Sequence, residues 1–168
     1  MLFAAAALVS GCGSQSVPGG SSALRLSLPG WRAVADERGI GELVPDLAGL
    51  ALRTRTDSPA LVHAGDVVRV TAFRFATPSD AATALARGRV PGYLRQLEKS
   101  FRGELVRTTS APGRLGYRLT VPRRAESGAD AAELYLLRDG RTLALVELVS
   151  STGFDARLRE RVLALVSR

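Results

Sequence analysis

Three residue types are scarce in this 168-residue chain: one cysteine (Cys12), one histidine (His63) and one lysine (Lys99), with aromatics at 5%. A lone cysteine excludes a disulfide scaffold, and a lone histidine leaves a His-based triad or multi-histidine metal site nothing to draw on. Lys99 has only Ser100 beside it as a Ser-Lys nucleophile, and adjacent helix residues point apart. No apolar run reaches the roughly 18 residues that a membrane-spanning helix needs. Phosphate loops are missing too: Gly113 to Gly116 lacks the GxxxxGK[ST] spacing, and no GxGxxG follows a strand.

The chain is otherwise ordinary, with 46% hydrophobic and 23% charged residues, enough to bury one core and form one domain. Its net charge is +7, yet Lys99 is the only lysine among 23 basic residues, and the arginines run from Arg25 to Arg168 without a cluster longer than Arg123-Arg124. Nucleic-acid binders interleave a basic stripe with aromatics, so no nucleic-acid partner is expected. Arginine in place of lysine, beside many Ala, Gly and Val, resembles the composition of a high-GC actinobacterial genome. A basic body within about 8 to 10 Å of an anionic leaflet is still drawn toward it.

The first residues read as an address. Leu2 to Val9 is an apolar run of eight, at the low end for a signal-peptide core. It leads through Val9-Ser10-Gly11 into Cys12, a string that resembles the lipobox of bacterial lipoproteins. That resemblance implies residues 1–11 as a signal peptide and Cys12 as a diacylated mature N-terminus. No Lys or Arg precedes the apolar run, so the true start is expected upstream of Met1. Residues 12–23 then form the lipidated cysteine and a Gly/Ser-rich linker with a mean reach of somewhat under ~20 Å. Residues 24–168 are the single domain, held at the extracytoplasmic face of the cell membrane.

Along that domain, Leu24 to Leu28 alternates like a half-buried strand until Pro29-Gly30 stops it before Trp31. Arg32 to Leu43 reads as irregular, Pro45 to Arg55 as either a short helix or a strand entering at Leu50, and Asp57 to Asp66 as a loop. Val67 to Phe75 is a strand. Thr77-Pro78-Ser79-Asp80 combines a capping hydroxyl, a first-turn proline and a first-turn carboxylate, so a helix starts there. It breaks at Gly88 and Pro91 and resumes with Tyr93, Leu94, Leu97 and Phe101 on one face. Glu104 to Thr108 reads as a strand, Pro112-Gly113 as a turn, and Tyr117 to Val121 as another strand. After a polar loop at Ala125 to Asp130, Glu133 to Arg138 and Arg141 to Val149 flank Asp139-Gly140, predicting a hairpin with a type I′ turn. Thr152-Gly153-Phe154-Asp155 repeats the capping pattern before a terminal helix carrying Phe154, Leu158, Val162, Leu165 and Val166. Segregated strands and helices predict an α+β fold, an antiparallel meander packed against helices.

The phrases Leu24-Arg25-Leu26-Ser27-Leu28-Pro29-Gly30-Trp31, Thr77-Pro78-Ser79-Asp80-Ala81-Ala82, Gly116-Tyr117-Arg118-Leu119 and Arg138-Asp139-Gly140-Arg141 resemble the PsbP-like group. That resemblance covers Leu24 to Val166 and implies an α/β/α sandwich, a small lipoprotein and no catalytic residues. Pro29-Gly30-Trp31 lacks the extra residue often found in that group between Pro and Gly. The strand-helix-meander order is also similar to the extracellular sensor domains of actinobacterial receptor kinases, which usually carry disulfides absent here.

Few side chains are left for chemistry. His63 reads as an incidental loop residue, and no metal site is expected. Asp36-Glu37 and the trio Glu126, Asp130 and Glu133 sit among Arg123, Arg124 and Arg138, and read as solvated ion pairs rather than as a carboxylate acid-base site. Glu147 is the one polar intrusion in the apolar strand Leu143 to Val149, sharing its face with Leu143, Leu145 and Val149. Such a carboxylate is exposed, paired with an arginine, or lines a cavity, to which Trp31 and Tyr117 would add aromatic walls. The resulting expectation is a non-enzymatic lipoprotein without cofactors. Its domain binds an envelope protein, cell-wall component or small ligand. Two alternatives stay open: a lipid or small-ligand carrier with an apolar cavity between sheet and helix, and a carboxylate-based hydrolase.

Overall fold

The computed structural model describes residues 27–34, 43–120, 131–150 and 153–166. Its longest strand forms where branched and aromatic residues alternate: Asp66–Phe75 (β4) sends Val68 and Val70 into one buried cluster and Phe73 and Phe75 into the other. Thr142–Ser150 (β8) pairs along almost the whole of β4. Beyond it Ala131–Asp139 (β7), Arg114–Thr120 (β6) and Glu104–Ala111 (β5) continue as a meander. On the opposite edge of β4 two short strands lie end to end: Ala60–His63 (β3) pairs with residues 66–68, and Leu52–Asp57 (β2) with residues 71–75. Arg32–Val34 (β1) adds to β3, which completes an eight-stranded antiparallel sheet in the order β1-β3-β4-β8-β7-β6-β5.

Pro78–Arg87 (α1) and Pro91–Phe101 (α2) cover one face, burying Ala81, Ala84, Leu85, Tyr93 and Leu97 against Phe73, Leu115, Leu134 and Leu145. Ala156–Val166 (α3) covers the other with Val162 and Leu163 against Val68, Val70, Val146 and Leu148. The result is the expected α+β class in three layers. Both α1 and α2 start where the sequence places them. The Thr77 hydroxyl accepts the Asp80 amide at 3.1 Å and donates to the Asp80 carboxylate at 2.8 Å. At α3 the cap is Asp155 in place of the expected Thr152, its carboxylate accepting the Arg157 amide at 2.6 Å, so the helix begins at Ala156 and Phe154 precedes it. Thr152 lies outside the described residues.

Four further expectations change. Residues 27 and 28, the described end of the first expected strand, are irregular, although Pro29-Gly30 turns as expected and the Trp31 amide donates to the Leu28 carbonyl at 3.0 Å. Part of the expected irregular stretch is β1, and the undecided stretch before Arg55 runs into β2. Part of the expected loop is β3, closed onto β4 by Ala64-Gly65 with φ of 49° and 90°, the type I′ signature. The later hairpin turns one residue beyond the expected pair. Asp139 pairs with Thr142, so Gly140-Arg141 makes the turn, and only Gly140 has positive φ (52°), as in type II′. The polar loop at 125–130 lies outside the described residues.

Candidate functional site

Two carboxylates are buried in adjacent strands on opposite faces of the sheet. Glu147 shares the α1–α2 face with Leu143 and Leu145, as its alternation predicts. Antiparallel register sets Arg69 of β4 directly across from it, and Arg69 Nη1 donates to Glu147 Oε2 at 3.2 Å. Farther along the same face, buried Thr71 donates to Asp57 at 2.6 Å. Arg55 also binds Asp57 and lies 5.8 Å over the Phe73 ring.

Glu133 of β7 faces α3 instead. Its cross-strand neighbour Arg118 donates at 3.0 Å, Arg159 of α3 grips both carboxylate oxygens, and the Tyr135 hydroxyl donates at 2.9 Å. Burial pushes the Glu133 carboxyl upward, but the Arg159 and Tyr135 hydrogen bonds, the Arg159 charge and Arg118 outweigh it and hold the group below its ordinary 4.5. Tyr135 moves the other way, pushed up to about 12 by burial, by its hydrogen bond to Glu133 and by that residue's charge. Its ring has room because position 116 is glycine: a Cβ there would stand 2.7 Å from Tyr135 Cε1. Glu133 was expected to be solvated among Arg123, Arg124 and Arg138. It is buried, because β6 and α3 supply Arg118 and Arg159 instead.

Beside this network a cleft of about 280 Å³ opens at the end of the sheet formed by the Pro112-Gly113 and Gly140-Arg141 turns. Leu137, Ala144 and Val166 give it apolar lining, while Arg114, Arg138, Asp139 and Thr142 bring charge and a hydroxyl. The Arg114 guanidinium lies 5.4 Å over the Tyr135 ring and reaches exposed Glu160 at 3.5 Å. Its Nε–H is buried and finds no acceptor among the described residues.

The residues singled out by sequence do not converge. Tyr117 and Glu147 share the α1–α2 face, but Leu134 stands between them in the cross-strand row. Tyr117 is fully buried, its hydroxyl donating to the Gly88 carbonyl at 2.8 Å, and burial raises its pKa. Trp31 packs on the opposite face, its ring 5.6 Å from exposed His63. The sheet therefore separates Trp31 from the other two. Cys12 lies outside the described residues. Arg114 and Asp139 escaped the sequence reading, although a signal existed: alternate turns of a meander lie at the same end of its sheet. Among the described residues no three His, Cys, Asp or Glu side chains cluster as metal ligands, and no helix is long and apolar enough to cross a membrane.

No family model matches the chain, so the PsbP-like resemblance stands on its motifs alone. No curated protein matches it either. Among solved structures, the extracellular domain of PknH from Mycobacterium tuberculosis is similar at a TM-score of 0.49 and 12% identity, over 79% of this chain and 70% of that one. A likeness this distant transfers neither site nor ligand.

Proposed function

We propose that this chain is an exported, non-catalytic binding domain, tethered to the extracytoplasmic face of the cell membrane through acylated Cys12, which presents its cleft to an envelope partner or small ligand. The non-catalytic reading is supported by the disposition of the two buried carboxylates. Glu133 and Glu147 point to opposite faces and each is neutralised by arginine, whereas a carboxylate acid-base pair must face one cleft about 5 to 10 Å apart. Carriage of a lipid between sheet and helix is disfavoured because Tyr117, Leu97, Leu134 and Leu145 fill that space. The tether rests on the Val9-Ser10-Gly11-Cys12 string and the Gly/Ser linker after it. Two acyl chains anchor stably where one binds marginally.

Cell fractionation with mass spectrometry of the N-terminal peptide tests this. Wild type is expected in the membrane fraction with a diacylglyceryl group on Cys12, and Cys12→Ala is expected outside that fraction. An uncleaved, unacylated chain in the cytosol overturns the reading.

A further inference from the structure

We propose that the cleft at the turn end of the α3 face binds a small zwitterion of the α-amino acid type with an aliphatic side chain, an inference that rests on the reading of this chain as a binding domain. Two arginines and one aspartate line the cleft; Arg138 alternates along β7 toward the α1–α2 face, as its cross-strand partner Leu143 does, which leaves Arg114 and Asp139 as the pair of opposite charges on the α3 face. Arg114 pairs in register with Leu137, and Asp139 lies two residues on along the same face, a diagonal relationship that sets the two residues about 7 to 8 Å apart. The two side chains do not meet. Arg114 leans the other way, onto the Tyr135 ring and toward Glu160, which leaves Asp139 on the opposite rim without an ion-pair partner among the described residues.

The arginine has donors to spare. A guanidinium offers five N–H groups, and the described structure gives Arg114 one long contact with an exposed carboxylate and no acceptor for Nε. Contact with the Tyr135 ring restrains the guanidinium, which lowers the side-chain freedom lost on binding a carboxylate. An ammonium at Asp139 and a carboxylate at Arg114 match the two rims, and the Thr142 hydroxyl can serve either group. Between them Leu137, Ala144 and Val166 offer apolar contact to a short aliphatic chain. At about 280 Å³ the cleft falls just under the roughly 300 Å³ at which drug-sized sites begin, which sets the ligand at single-residue scale.

The test uses the full chain carrying Cys12→Ala and three probes of matched apolar body: L-leucine, 4-methylpentanoate without the amine, and 3-methylbutylamine without the carboxylate. Amide shifts of Gly113, Leu137 and Thr142 are the readout. Leucine is expected to shift them saturably, and each half-molecule is expected to bind at least about tenfold more weakly, as loss of one charge-assisted contact implies. Asp139→Asn, at an exposed position, should weaken leucine about tenfold and leave 4-methylpentanoate unchanged. Arg114→Gln should weaken both. Equal binding of leucine and either half-molecule, an unaffected Asp139→Asn variant, or no saturable shift up to about 10 mM leucine overturns the zwitterion site. Membrane retention through Cys12 is read in a separate experiment, so failure here leaves the tethered-domain reading standing.

Discussion

Glu133 concentrates the energetics of the α3 layer in one side chain. Its carboxylate is buried and satisfied by donors from two strands and one helix, so removing its charge strands Arg159 against the sheet with no counter-ion. Breaking a buried pair by deleting one partner costs about 3 to 5 kcal/mol. Arg118 is half exposed and recovers part of its hydration, which places Glu133→Gln near the lower end, at about 3 kcal/mol by urea denaturation. The same group makes stability depend on acid. Because the folded carboxyl titrates below its ordinary 4.5, the stabilisation is complete above that pH and disappears as pH falls through the lower folded value. Wild type is therefore expected to lose stability on acidification below about pH 4.5, and Glu133→Gln to show a flatter acid limb; parallel acid limbs would contradict this. The sequence placed this residue among solvated charges because its arginine partners lie 15 and 26 residues away and meet it only through strand register and helix docking.

Local elements obey local chemistry unevenly. The cap of α1 needs only residues within one turn, and the Pro-Gly turn between β5 and β6 needs only its own two residues. These were legible. The β3–β4 hairpin was not, because its turn places an alanine where glycine or asparagine is the usual occupant. Ala64 sits at φ 49°, and an L-residue with a Cβ in the left-handed region costs about 1 to 2 kcal/mol. Asparagine tolerates that region, and Asn-Gly is a preferred type I′ pair. Ala64→Asn is accordingly expected to raise stability by about 0.5 to 1 kcal/mol, read as a higher denaturation midpoint at unchanged m-value. An unchanged or lower midpoint would show that the turn is held by its strands rather than limited by its residues.

Across the whole molecule, the three tyrosines report on both faces of the sheet at once. Tyr93 points inward from α2 and Tyr117 lies beneath that layer on β6, with hydroxyls bonded to the Leu43 and Gly88 carbonyls, and Tyr135 lies under α3. Burial, first among the causes in each case, raises all three phenols above 10.0, with Tyr135 at about 12. A raised folded value means that the neutral phenol stabilises the fold fully below pH 10, and that this contribution fades as pH climbs toward the folded values. Absorbance at the phenolate band is expected to stay nearly flat through pH 10 and then to rise cooperatively with alkaline unfolding. In denaturant all three phenols should titrate near pH 10. A gradual native titration centred on pH 10 would mean that at least one layer is open to water.

The amino-acid sequence alone determined the α+β class, the starts of α1 and α2, the alternation that buries β4 and β8, and the face on which Glu147 lies. Each of these depends on residues a few positions apart, where periodicity and capping act directly. Tertiary structure alone decided which arginine neutralises which glutamate, that the sheet separates Trp31 from Tyr117, and that Arg114 and Asp139 border one cleft. Those outcomes depend on register between strands and on which helix covers which face, and an isolated segment of chain carries neither quantity.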